Sequence, residues 1–118
     1  MLKLLAFDYG AGSGRGILGR YDGDKLQLEE VHRFANEPVM VGGSFYWDIL
    51  RLYHEMKQGI TQCVKSGDGD FAGIGIDTWG VDFGLLGSDG QLLGIPFHYR
   101  DSRNEGMIEA ACGVIPRE

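Results

Sequence analysis

Asp8 closes the apolar run Leu2–Phe7 and is followed at once by Gly10, Gly12 and Gly14, with Ser13 and Arg15 set among them. Glycine at every second position leaves backbone N–H groups uncovered, so an anionic oxygen can come close to them. Ser13 adds a hydroxyl, and Arg15 adds a fixed cation whose planar fork suits phosphate. Asp8 would repel a bare phosphate, so a carboxylate at that point implies a divalent cation, or water held by one, between the two. The loop differs from the commoner glycine motifs. No Gly-Lys-Ser/Thr occurs in the chain, and the spacing is Gly-x-Gly-x-Gly rather than that of the dinucleotide fingerprint. Spacing alone leaves a second reading open, a tight hairpin in which Asp8 caps its own turn.

The elements that must hold this loop can be read on either side of it. Residues 15–21 are glycine-broken and lead to Asp22-Gly23, a hairpin signal, so strand, loop and returning strand form one hairpin. Residues 25–34 alternate at Leu26 and Leu28, then slip phase at Glu29-Glu30, which predicts a third strand with a bulge. His32 within it reads as a surface or strand-packing histidine, since no acidic partner stands nearby in sequence. Residues 36–43 read as a loop.

Asp48 is an N-cap candidate. Ile49, Leu52, Tyr53, Met56, Ile60, Cys63 and Val64 recur at steps of three and four, predicting a helix that covers the sheet and stops at Ser66-Gly67-Asp68-Gly69. Phe71 to Asp77 is a short apolar strand that, like the first, ends on a carboxylate. Ser88-Asp89-Gly90 turns the chain into a further strand over 91–98, with Pro96 at its edge or end. Arg100 and Asp101 read as a mutual pair, and residues 104–112 as the start of a helix. The order is βββαβ, an α/β unit with a mixed sheet built on an antiparallel three-stranded meander, and no internal boundary stands out.

Composition bounds the rest. The 118 residues, 43% hydrophobic and 24% charged, fit a globular domain with a real core. A net charge of −6 argues against nucleic acid or an anionic membrane as partner. Cys63 and Cys112 lack metal-ligand spacing and read as free buried thiols of a reducing compartment. The N-terminal run is too short for a secretory signal, so the expected location is the cytoplasm.

Asp8-Tyr-Gly-Ala-Gly-Ser-Gly-Arg15 resembles the first phosphate motif of the FGGY carbohydrate kinases, which belong to the ribonuclease H-like, actin-like ATPase group. His32-Arg33-Phe34, Trp47-Asp48, the block Ile74–Phe83 and Tyr99–Arg103 resemble the same family, in order, and the block Ile74–Phe83 points to its deoxy-ketose branch. The resemblance implies ATP and Mg²⁺, a ketose substrate, and no nucleic acid or membrane partner. It implies that Ala11, Gly12, Ser13, Gly14 and Arg15 hold the ATP phosphates and that Asp8 holds Mg²⁺ through water. It also puts Gly80 against the ketose, with Trp79 and Asp77 as wall and support. Gly12 departs from the family, which places Ser or Thr there. The family runs several hundred residues longer, so the expectation is an N-terminal piece of a first actin-like domain. The catalytic base would then lie outside residues 1–118, and a partner would be the missing C-terminal part. Self-association through exposed apolar surface is a further expectation. The rivals are a fuculose- or xylulose-type kinase and a non-catalytic actin-like module that binds nucleotide.

Overall fold

The computed structural model describes residues 1–117; Glu118, the end of the expected 1–118 unit, lies outside the described residues. Two compact units are present where the sequence shows no boundary. The first comprises Met1–Glu37 and Ile49–Gly80, and the second Pro38–Asp48 together with the residues from Val81 onward. Composition is uniform across the three crossings, so nothing in it marks them.

In the first unit, β1 (Leu2–Tyr9), β2 (Ser13–Tyr21) and β3 (Leu26–Ala35) form the expected antiparallel meander. A fourth strand, here β6 (Gly73–Asp77), pairs in parallel with β1, giving the order β3-β2-β1-β6. The parallel pair is made possible by the helix α1 (Ile49–Lys65), which lies between β1 and β6 in sequence. The expected bulge is there, at Val31: Gly16 pairs with His32 and Ile17 with Glu30, so Val31 is the extra residue.

Leu5, Phe7 and Tyr9 alternate on β1 and are buried with Leu52, Cys63 and Phe34 in one core, and Tyr9 donates its hydroxyl to the Leu52 carbonyl at 3.0 Å. The buried stripe of α1 is Leu52, Glu55, Gly59 and Cys63. Ile49, Tyr53 and Val64, which the helical periodicity assigns to the packed face, are exposed instead. Gly59 explains the shift. Its missing side chain admits Phe7, since a Cβ there would stand 2.6 Å from the Phe7 ring. Cys63 is buried and Cys112 half-buried, and both are free thiols. Burial pushes the Cys63 thiol above its ordinary range, and nearby carboxylates add to that.

In the second unit, β4 (Val39–Val41) and β5 (Ser44–Tyr46) form a hairpin through Gly42-Gly43, where the sequence reads as a loop. Both glycines have positive φ, 57° and 82°, the conformation a two-residue hairpin turn requires. The strand expected over 91–98 does not form. Only isolated bridges occur there, Leu86 with Leu92 and Phe97 with Tyr46. Glycine at 94 and proline at 96 weaken a ladder at that point. Trp47 and His98 are buried, their ring centroids 4.2 Å apart. A short 3₁₀ turn (Ser102–Asn104) precedes α2 (Met107–Val114). Among the described residues no helix is long and apolar enough to cross a membrane.

Candidate functional site

Alternation decides which way Asp8 points. It sits between buried Phe7 and Tyr9, so its side chain leaves the sheet on the face opposite α1. Two neighbours share that face by register. Asp8 pairs across the hairpin with Arg15 of β2 and across the parallel pair with Asp77 of β6. Asp8 accepts a charge-assisted hydrogen bond from the Arg15 guanidinium, and both side chains are about two-fifths exposed. Two carboxylates and one guanidinium therefore stand side by side where β1 and β6 reach their carboxyl ends, the usual ligand edge of a sheet with parallel strands.

The loop between β1 and β2 is closed by its own backbone and pinned by a residue the motif did not contain. Gly10 donates its N–H to the Ser13 carbonyl at 2.9 Å. Asn36, only 5% exposed, donates its side-chain amide to the Gly10 carbonyl at 2.9 Å and its backbone N–H to the Gly12 carbonyl at 3.2 Å. These bonds tie up carbonyls and turn the loop's polarity toward donors. In sequence Asn36 is only the start of a loop, and no signal there joins it to a turn 26 residues away.

The sequence-predicted residues fall as follows. Gly12 and Ser13 form the exposed tip with Ala11 half-buried beside them, and a Cβ at Gly12 would meet nothing within 4 Å. Gly14 is buried in β2 on the α1 side, where a Cβ would overlap the Phe34 ring. Its glycine is thus required by packing, whatever the loop binds. Asp77 is exposed at the end of β6 beside Asp8. Trp79 packs its partly buried ring against the core cluster, and Gly80 is exposed with open space where a Cβ would be.

Two other expectations change. His32 does pack on the strand, stacked on Phe34, but it has an acidic partner: its Nε2 lies 2.6 Å from Glu55 Oε2 of α1. Glu55 is buried, which pushes its carboxyl up, yet the hydrogen bonds from His32 and Arg51 outweigh burial and hold it below the usual range. Tyr9, buried beside that charge, has its phenol pushed up to about 12. Arg100 and Asp101 do not pair. Asp101 accepts the backbone N–H groups of Phe45 and Arg103, at 2.6 and 2.9 Å, while Arg100 lies over the Tyr99 ring. Arg100 sits in a turn that the Asp101 N–H closes on the His98 carbonyl at 2.9 Å, and backbone donors occupy the Asp101 carboxylate. The second unit also contains an open apolar cleft of about 230 Å³ lined by Phe83, Leu85, Leu93, Ile95 and Phe97, with Arg103 stacked on Phe97.

No family model matches the chain. Among curated proteins it is 50% identical over 115 residues to the rhamnulokinase of Bacteroides thetaiotaomicron, covering 98% of this chain and 24% of that protein. It is 46% identical over 114 residues to the rhamnulokinase of Oceanobacillus iheyensis, covering 97% of this chain and again 24% of the relative. The chain thus spans about a quarter of the length of the curated relatives it matches. Among solved structures, a ligand-bound xylulose kinase from Lactobacillus acidophilus superposes with a TM-score of 0.74 at 17% identity, over 97% of this chain and 23% of that one. A gluconate kinase from the same organism gives 0.73 at 18%, over 95% and 22%. The α/β fold with its mixed sheet is the fold of these kinases.

Proposed function

We propose that this chain belongs to the FGGY carbohydrate kinases and supplies the first phosphate grip and one wall of the sugar site in an enzyme that transfers the γ-phosphate of ATP to O1 of L-rhamnulose, giving L-rhamnulose 1-phosphate. The observation that carries the reading is the Asp8–Arg15 pair at the mouth of a glycine loop, in a chain matched to rhamnulokinases along nearly its whole length.

In this reading, backbone amides of Ala11 to Gly14, the Ser13 hydroxyl and the Arg15 guanidinium hold phosphate oxygens. Asp8 would hold Mg²⁺. The donor set suits that ion: a hard carboxylate oxygen of Asp8 beside a second carboxylate in Asp77. Bound there, Mg²⁺ would neutralise charge on the phosphates. Gly80, Trp79 and Asp77 form the sugar wall, and a glycine at 80 leaves room for a longer ketose with its hydroxyls. The piece belongs to the first actin-like domain, and its partner is the remainder of the same enzyme. In-line transfer needs a base to position the sugar hydroxyl and donors on both sides of the γ-phosphate. The base lies outside residues 1–118.

A coupled phosphoryl-transfer assay with MgATP and L-rhamnulose tests this. The chain alone should give no turnover; an enzyme extended to the relatives' length should turn over and prefer L-rhamnulose to L-fuculose and D-xylulose. Turnover by the chain alone would make Asp77, Asp82 and Asp101 the candidate bases and overturn the reading of an incomplete site. Preference for another ketose would move the enzyme to a different branch of the family.

A further inference from the structure

Arg15 has four charged neighbours on its face of the sheet, Arg33, Glu30, Asp8 and Asp77, and their arrangement settles where its guanidinium goes. Across β3 its register partner is Arg33, a like charge. Arg33 is itself held by both oxygens of Glu30, at 2.8 and 2.5 Å. Across β1 stands Asp8, which takes the Arg15 hydrogen bond, and beyond it Asp77. The backbone register alone thus delivers a guanidinium to the carboxylate assigned to the metal. We propose that Arg15 is the resident counter-ion of Asp8, displaced when a divalent cation and a phosphate group arrive together. The proposal rests on the phosphate-grip reading and adds a coupling between the two ligands to it.

The physical argument is one of charge. A carboxylate paired with a guanidinium has lost much of its attraction for a dication, and the two cations would repel across a few ångströms. Releasing Asp8 to a metal therefore requires a new anion for Arg15. The glycine loop places phosphate oxygens within the same hairpin that carries Arg15, so the guanidinium can pass from carboxylate to phosphate. Each ligand then favours the other, and the coupling is reciprocal. Conversely, metal alone or phosphate alone must compete with the internal pair.

Two substitutions with effects of opposite sign test this in the chain itself, with Mn²⁺ read by paramagnetic resonance and pyrophosphate, in chelator, by calorimetry. Arg15→Met should bind Mn²⁺ about 3- to 10-fold more tightly and pyrophosphate about 10-fold more weakly. Asp8→Asn should lose Mn²⁺ and bind metal-free pyrophosphate about 3- to 10-fold more tightly. Both positions are part-exposed, and circular dichroism checks the fold; Arg15→Gln replaces Arg15→Met if that variant unfolds. If both ligands bind the unaltered chain but neither substitution produces its gain, the counter-ion role is overturned and the phosphate grip stands. If pyrophosphate does not bind the unaltered chain with or without Mn²⁺, the phosphate-grip reading falls and the proposal with it.

Discussion

Gly14 and Gly12 are two residues apart in the same loop motif, yet the structure asks different things of them. Gly14 faces the core, where any Cβ would overlap Phe34; Gly12 faces open space. Gly14→Ala should therefore cost about 1–3 kcal/mol in chemical denaturation, because Phe34 is buried and cannot swing clear. Gly12→Ser, which adds a hydroxyl at the exposed tip, should leave stability within about 0.5 kcal/mol. Val81 gives a second test at this scale. It is a β-branched residue at φ 68°, in the left-handed region, and 85% exposed, so no packing offsets the strain. Val81→Asn should stabilise the protein by about 1 kcal/mol, read as a rise in denaturation midpoint, since Asn tolerates that conformation and loses little contact.

Among the elements, the aromatic layer of the second unit carries a pH dependence. His98 is buried against Trp47, Phe45 and Tyr99, and its Nδ1 accepts the Arg100 N–H at 3.0 Å. Burial, aided by the Arg100 charge and opposed by Asp82, holds the His98 ring below its ordinary range. The unfolded chain then takes up the proton first. Stability is full above the ordinary histidine value of about 6.5 and is lost as pH falls through it toward the lowered folded value. Asp101 is held low by the Phe45 and Arg103 amides, so its contribution is lost only at more acid pH, below the usual carboxylate range. Resistance to denaturation, followed by Trp47 fluorescence, should weaken as pH falls below about 6.5, and His98→Gln should flatten that slope. A slope unchanged by the substitution would assign the effect to another group.

The whole molecule leaves much apolar surface uncovered. On β6, Ile74 and Ile76 are 47% and 55% exposed, and Leu2 and Leu4 are exposed on β1. The strand β6 has β1 on one side and, among the described residues, no strand on the other. Unprotected strand edges and contiguous apolar patches favour association. The chain on its own should therefore self-associate, seen as a weight-average mass in sedimentation that rises above 13.0 kDa with concentration. A constant 13.0 kDa across the range would count against it.

The hairpin of Asp8 and Arg15, the helix after Asp48 and the strand ending on Asp77 could all be read from the chain, because glycine turns, a 3.6-residue stripe and a short apolar run are local signals. The bulge could be read to within two residues, since a phase slip is visible in one strand. What stayed hidden is whatever depends on partners distant in sequence. Glu55 is a charged residue on the buried stripe of α1, held by Arg51 one turn earlier and by His32, which reaches it from β3. Asn36 pins a loop 26 residues earlier. The hairpin at Gly42-Gly43, the missing strand at 91–98 and the division into two units likewise turn on which segments meet. So by itself the sequence determined the local elements and the chemistry they carry, an anion loop beside a carboxylate. Tertiary structure alone decided that Asp77 joins Asp8 and Arg15 on one face, because the register of β6 on β1 is set by pairing between residues far apart in sequence, and one residue of slip would have sent Asp77 to the other side.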